Sequence, residues 1–168
     1  MSIGALPPVG FFDPLGLSQG KSDAEIKKIR EAELKHGRLA MLASLGFLVA
    51  EFFNPLFDGK ITGPALGHFQ QADDLVPYFW VAVLGSVGVV EGQNILLGWE
   101  QEQDTSGVAN LKDDYVNGDL NFDPLGLKPA DEESFNVMRT KELQNGRLAM
   151  LGIAGMIAQE LVTGQKLF

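Results

Sequence analysis

The chain is 168 residues long, one domain's length, with 45% hydrophobic residues and a net charge of −9. That acidic balance argues against nucleic acid as a partner, for which a basic stripe is needed; the lack of cysteine excludes a disulfide framework and a thiolate metal centre. It contains no Gly-rich phosphate loop, no Ser/His/Asp order and no HExxH, so the common catalytic signatures are missing and no enzyme is expected.

Residues 1–21 are rich in Gly and Pro and read as an ordered extended arm. They resemble neither a signal peptide nor an Arg- and Ser-rich transit sequence, so any targeting segment is expected to have been removed. Ser22-Asp23-Ala24-Glu25 is a capping box, which predicts a first helix over 23–53 up to the breaker Asn54-Pro55. At 1.5 Å per residue it would be about 45 Å long. Its first half is charged, and Leu39 to Phe53 is apolar apart from Ser44 and Glu51. A second apolar run over 77–99 is interrupted by Glu91, Gln93 and Asn94 and is long enough to cross a bilayer core. The third helix is predicted over 131–163, with Asp131 as cap and Glu132 and Glu133 complementing the dipole of its first turn.

The first and third of these segments carry one motif. Glu33-Leu34-Lys35-His36-Gly37-Arg38-Leu39-Ala40-Met41-Leu42 returns as Glu142-Leu143-Gln144-Asn145-Gly146-Arg147-Leu148-Ala149-Met150-Leu151. Upstream of each copy, Phe12-Asp13-Pro14-Leu15-Gly16-Leu17 is matched letter for letter by Phe122-Asp123-Pro124-Leu125-Gly126-Leu127. Two copies of one unit imply a local two-fold relation.

A soluble helix bundle is the bland alternative, since two of the apolar stretches fall short of 20 residues. Charge placement argues against it. Of the 13 Lys and Arg, all but Lys60 and Lys166 lie at or before Arg38 or between Lys112 and Arg147. If the three stretches cross a membrane, the two basic groups share one side, the asymmetry expected of a three-span protein.

The charges at the helix heads then need partners. Glu33 and Arg38 lie about 140° apart around the helix and do not face one another. Exposing either to lipid would cost at least ~2.5 kcal/mol. The repeat offers a crossed solution, Glu33 with Arg147 and Glu142 with Arg38, with Gly37 and Gly146 allowing close approach. Snorkelling to the headgroups is the alternative. His36 and Asn145 share one repeat position, and both are neutral lone-pair donors; a site that accepts either asks for a ligand rather than a proton shuttle. The magnesium of a chlorophyll needs one such axial donor, whereas a packing or proton-relay histidine is the ordinary reading of His36 alone.

The two copies Glu33-x-x-His36-x-Arg38 and Glu142-x-x-Asn145-x-Arg147, each preceded by its FDPLGL box, resemble the light-harvesting chlorophyll-binding antenna proteins of chloroplasts. The resemblance covers nearly the whole chain. The short loops, Gly67-His68-Phe69-Gln70-Gln71 and Val90-Glu91-Gly92-Gln93 are similar to the red-lineage branch, which includes fucoxanthin-chlorophyll proteins and red-algal-type photosystem I antennae.

This resemblance implies an all-α membrane fold forming a single antenna domain over 1–168. Three transmembrane helices make it up, the first and third crossed with pseudo-two-fold symmetry. It implies that Glu33, His36, Glu142 and Asn145 hold chlorophyll magnesium, with Arg38 and Arg147 neutralising the carboxylates. Gln159 and Glu91 match further magnesium ligands. The family's usual Arg after Glu91 is Asn94 here, which leaves the Glu91 charge without its expected partner. His68 or Gln70, in the loop between spans, is a further pigment contact. The tail-helix His site of green-lineage members is expected to be absent.

The FDPLGL boxes are expected to cradle carotenoid ends, with Asp13 and Asp123 as polar anchors and Phe12 and Phe122 as apolar contacts; as plain sequence they read as turns. The implied cofactors are chlorophyll a, with chlorophyll c as an accessory, and xanthophylls of fucoxanthin or diadinoxanthin type. The implied partners are a photosystem core, photosystem I favoured, neighbouring antenna subunits and thylakoid lipids. The expected location is the plastid thylakoid membrane, with a stromal N-terminus and a lumenal C-terminus. Lumenal Asp58, Asp73 and Asp74 are candidate regulators of quenching. The rival functions are a photoprotective quencher of the same family and a small proton-coupled transporter, which would also place Glu, His and Arg in spans.

Overall fold

The computed structural model describes residues 4–5, 10–53, 56–103 and 109–167, and only the backbone of 56 and 101–103. Among them are four α-helices: α1 (Asp23–Phe52), α2 (Ala65–Leu75), α3 (Phe79–Gly98) and α4 (Glu132–Thr163). Two short antiparallel strands, β1 (Trp99–Gln103) and β2 (Ala109–Leu111), follow α3 and pair Trp99 with Leu111.

The helix starts have local causes. Ser22 accepts from the Glu25 backbone N–H, and Glu25 reaches back to the Ser22 N–H, which closes the capping box of α1. Asp131 accepts from the Ser134 N–H at 2.7 Å and opens α4. At the far end of α4, Gly164 adopts φ 64° and closes the helix in the left-handed conformation that glycine takes without strain. The breaker Asn54-Pro55 lies outside the described residues; α1 ends at Phe52, with Phe53 extended at φ −139°.

Three helices were expected, and the described chain has a fourth. Residues 65–75, read as part of a loop, form α2, because Glu160 of α4 accepts from the free N–H groups of Ala65 and Leu66 at 3.1 and 2.9 Å. The cap that starts this helix is therefore distant in sequence, where a local motif search does not find it. By length and composition α3 is the one described helix apolar enough to cross a membrane, since the charged N-terminal halves of α1 and α4 dilute their apolar parts.

Helices α1 and α4 cross at Gly37 and Gly146. A Cβ on Gly37 would stand 3.0 Å from the Gly146 Cα, and one on Gly146 would stand 2.9 Å from the Gly37 Cα. Leu34, Ala40 and Leu143 are buried around this contact, and Ser44 Oγ reaches the Ala40 and Ala149 carbonyls at 2.8 and 3.3 Å. Elsewhere apolar groups are uncovered. Among the described residues no large side chain is wholly buried, while Leu39, Leu42, Leu148 and Leu151 are each more than two-thirds exposed. A soluble domain of this length would bury far more of them.

Candidate functional site: ligand donors around crossed ion pairs

Beside the glycine contact, two ion pairs cross between the helices. Arg38 Nε donates to Glu142 Oε1 and Arg147 Nε donates to Glu33 Oε1, both at 2.7 Å. Each arginine also holds a backbone carbonyl of a segment that precedes a helix: Arg38 that of Gly118 at 2.7 Å, Arg147 that of Gly4 at 2.8 Å. The four charges are thus neutralised in place, with side chains between about a quarter and two-fifths exposed. Charged pairs taken out of water need such close geometry and additional hydrogen bonds to be tolerated.

Neutral donors flank these pairs. His36 is exposed, and its Nδ1–H donates to the Ala32 carbonyl at 2.7 Å. A carbonyl partner requires the proton on Nδ1, so the Nε2 lone pair is open. Asn145, at the equivalent place on α4, is exposed with no hydrogen bond from its amide among the described residues, and Gln159 is likewise exposed. His68, on α2, differs from His36: its Nε2–H donates to the Gly63 carbonyl at 3.0 Å, which leaves Nδ1 as the lone-pair nitrogen. Near it Phe69 stacks on Trp80 with ring centres 4.2 Å apart.

Glu91 lacks the family's usual Arg, Asn94 standing in its place, and its charge is met from another helix. Lys35 Nζ of α1 pairs with Glu91 Oε2, and Asn94 Nδ2 reaches Oε1 at 3.4 Å. Sequence reasoning sought the cation three residues along the same helix; it comes from another helix, which only packing reveals.

The two FDPLGL boxes fold alike. Asp13 Oδ1 accepts from the Leu17 N–H and Oδ2 from the Ser18 N–H, both at 2.9 Å; Asp123 accepts from the Leu127 and Lys128 N–H groups at 3.0 and 2.9 Å. Gly16 and Gly126 sit at φ 63° and 64°, which turns the chain so that those N–H groups meet the carboxylate. Hydrogen bonds to the ionised form hold both carboxyls below the usual aspartate range: chiefly the Ser18 hydroxyl for Asp13, and the Lys128 and Leu127 N–H groups for Asp123. Each carboxylate is first a brace for its own turn, and the box presents apolar groups outward. Phe12 and Phe122 are 73% and 83% exposed, and Leu15 and Leu125 are comparably exposed.

Three buried glutamates were not singled out as functional. Glu31 accepts from the Tyr115 hydroxyl, the Asn117 amide and the Gly118 N–H at 3.0 to 3.1 Å, and so holds the segment whose carbonyl Arg38 grips. Glu51 accepts from the Leu167 N–H, and Glu160 from the start of α2. Glu51 and Glu160 are separated by the same spacing as Glu33 and Glu142, so extending the repeat to the helix ends would have found them. A cleft of about 370 Å³ opens beside Glu142, lined in part by Arg38, Asn121, Phe122, Asp123 and Arg139.

The donors fit chlorophyll magnesium: an imidazole nitrogen, an amide oxygen or a carboxylate already neutralised by arginine would each suit a hard cation that takes one protein ligand. The chlorophyll A-B binding protein family model matches residues 2–161. Light-harvesting complex stress-related protein 3.2, chloroplastic, of Chlamydomonas reinhardtii is 48% identical over 169 residues, covering 96% of this chain and 63% of that protein. The fucoxanthin-chlorophyll a-c binding protein of Isochrysis galbana is 46% identical over 158 residues, covering 93% of this chain and 74% of the relative. That of Trieres chinensis is 31% identical over 169 residues, covering 96% and 79%. The chain thus spans less than two-thirds of the length of the Chlamydomonas relative. With the family model matching almost end to end, the chain belongs to the chlorophyll a-b binding protein family.

Proposed function

We propose that this chain is a light-harvesting antenna subunit of the plastid thylakoid membrane that binds chlorophylls and carotenoids and passes excitation energy to a photosystem, photosystem I in the finer reading. The observation that carries it is the pairing of open donors with compensated charges: His36 Nε2 and the Asn145 amide lie beside two carboxylates each neutralised from the opposite helix. No bond chemistry is proposed. When bound, chlorophyll supplies the absorption and exchange of excitation; the chain fixes where each ring sits.

Three crossings are proposed, by α1, α3 and α4, related for α1 and α4 by a pseudo-two-fold axis at the Gly37–Gly146 contact. The N-terminus is stromal and the C-terminus lumenal, from the segregation of Lys and Arg. Glu33, His36, Glu142 and Asn145 are the proposed magnesium ligands at the crossing, with Gln159 and Glu91 further out and His68 through Nδ1. Chlorophyll a with an accessory chlorophyll c is the proposed complement, by likeness to the fucoxanthin-chlorophyll a-c binding relatives. The exposed Phe12 and Phe122 would contact carotenoid ends.

A second reading, a photoprotective quencher, is favoured by one observation, the 48% identity to a protein named as stress-related. Both readings are tested by refolding the purified chain with extracted thylakoid pigments. Carotenoid bands in the excitation spectrum of chlorophyll a emission are expected. Strongly shortened emission lifetime in the same complex favours the quencher, and a folded chain that retains no pigment overturns both.

A further inference from the structure

The two copies of the ten-residue repeat diverge at two positions, His36/Asn145 and the residue before it, and that preceding residue faces the helix that has no copy. Lys35 of α1 corresponds to Gln144 of α4. Gln144 Nε2 donates to the Gly4 carbonyl at 3.0 Å, alongside Arg147. Lys35 instead crosses to α3 and pairs with Glu91 Oε2. A single helix packed against a two-fold pair can be met by only one member of that pair, so the repeat must break where α3 is held.

Helix α3 has little else to hold it at that level. Val81, Leu84, Val89 and Leu96 are each more than 60% exposed. Among the described residues Lys35–Glu91 is the one ion pair that joins α3 to another element. Among the described residues its other hydrogen bonds to neighbours lie at its two ends, through Trp80 and through the carbonyls of Leu96, Leu97 and Gly98. At Glu91 the cation occupies Oε2, while Oε1 has only the long 3.4 Å contact from Asn94 within its own helix. The arrangement matches the crossing, where Arg38 takes one oxygen of Glu142.

We propose that Lys35 is a positioning residue for a chlorophyll site on α3: it neutralises Glu91 from the neighbouring helix, fixes the approach of α3 to α1, and leaves Glu91 Oε1 as the oxygen that would hold magnesium. The inference rests on the pigment-binding reading above. A carboxylate in apolar surroundings is tolerated as a ligand only with its charge compensated, whereas a neutral amide needs no such partner. Lys35 is then required because residue 91 is a glutamate.

The test follows from that dependence. Wild type, Lys35→Gln, Lys35→Arg, Glu91→Gln and the double variant Lys35→Gln/Glu91→Gln are refolded with extracted chlorophylls and carotenoids. Chlorophyll bound per polypeptide is then measured, together with the absorption difference in the red band. Lys35→Gln is expected to lose one chlorophyll, with a matching negative band in its difference spectrum. Lys35→Arg and the double variant are expected to keep it, while Glu91→Gln alone, which strands the Lys35 charge, is expected to bind less chlorophyll than the double variant. A full complement in Lys35→Gln overturns the inference. So does a double variant as depleted as Lys35→Gln, since that result makes the lysine a merely structural tether. Wild type that binds no chlorophyll overturns the pigment-binding reading itself, and this inference with it.

Discussion

In the first copy of the repeat Glu33 is held at both oxygens, by Arg147 across the crossing and by Arg30 Nη1 one turn earlier at 2.9 Å; in the second copy Glu142 is held at one, by Arg38. The residue equivalent to Arg30 is Arg139, and it has turned away, its guanidinium 5.6 Å from the centre of the Phe135 ring. The matching place on α1 is Ile26, which has no aromatic face to draw a cation. Among the described residues the copies thus differ in how many arginines bond the glutamate, two at Glu33 and one at Glu142. Identical motif letters give equivalent backbones and crossed pairs, while the donor left over for a ligand is set by neighbours outside the motif.

The largest expected effect breaks this comparison at the arginines. Arg38→Leu removes the only cation bonded to Glu142 among the described residues, whereas Arg147→Leu leaves Glu33 with Arg30. Thermal denaturation should therefore show Arg38→Leu as the more damaging change, by about 3 kcal/mol for a stranded charge, against about 1 kcal/mol for a pair that keeps one partner. Equal losses would mean that Arg30 contributes nothing to Glu33.

The glycines should show no such asymmetry. Gly37→Ala and Gly146→Ala each drive a methyl into the facing backbone at nearly the same distance. Overpacking of that kind costs about 1–3 kcal/mol, and the two variants should melt together. A clear difference between them would place the crossing off the glycine contact.

A smaller effect separates the two boxes. Asp13 and Asp123 both have carboxyls held below the ordinary range, so the hold they exert is present above pH ~4 and is lost as pH falls through the lowered values. Asp13 has the Ser18 hydroxyl as an added donor, which Asp123 lacks. Limited proteolysis on acidification should cut near Asp123 before Asp13, and Ser18→Ala should remove the difference.

The smallest effect concerns the strut that braces the Arg38 side alone. Burial, with the Glu31 carboxylate beside it, pushes the Tyr115 phenol up to about 12. Its contribution is complete below the ordinary tyrosine value of ~10 and disappears as pH rises from there through the folded value. Tyrosinate absorbance should show a late-ionising component that Tyr115→Phe removes.

Much of this arrangement was legible before any coordinates. The starts of α1 and α4 follow from Ser22 and Asp131, whose side chains satisfy N–H groups within three residues. The glycine pair and the crossed charges follow from a motif written twice, because a charge with no partner on its own helix has its complement in the other copy. What was missed is non-local. Helix α2 depends on Glu160, ninety-odd positions away, and Glu91 depends on Lys35 on a different helix.

The sequence by itself determined the helices whose caps are local, the repeat that relates two of them, and the types of donor placed at their heads. Tertiary structure alone decided how many cations bond each carboxylate, which histidine nitrogen keeps its lone pair, and which cation answers Glu91. The reason is the range of the interactions. Capping and turn chemistry act over three to five residues and leave a signature in the letters, whereas charge compensation and lone-pair availability depend on distances of a few ångströms between segments that only folding brings together.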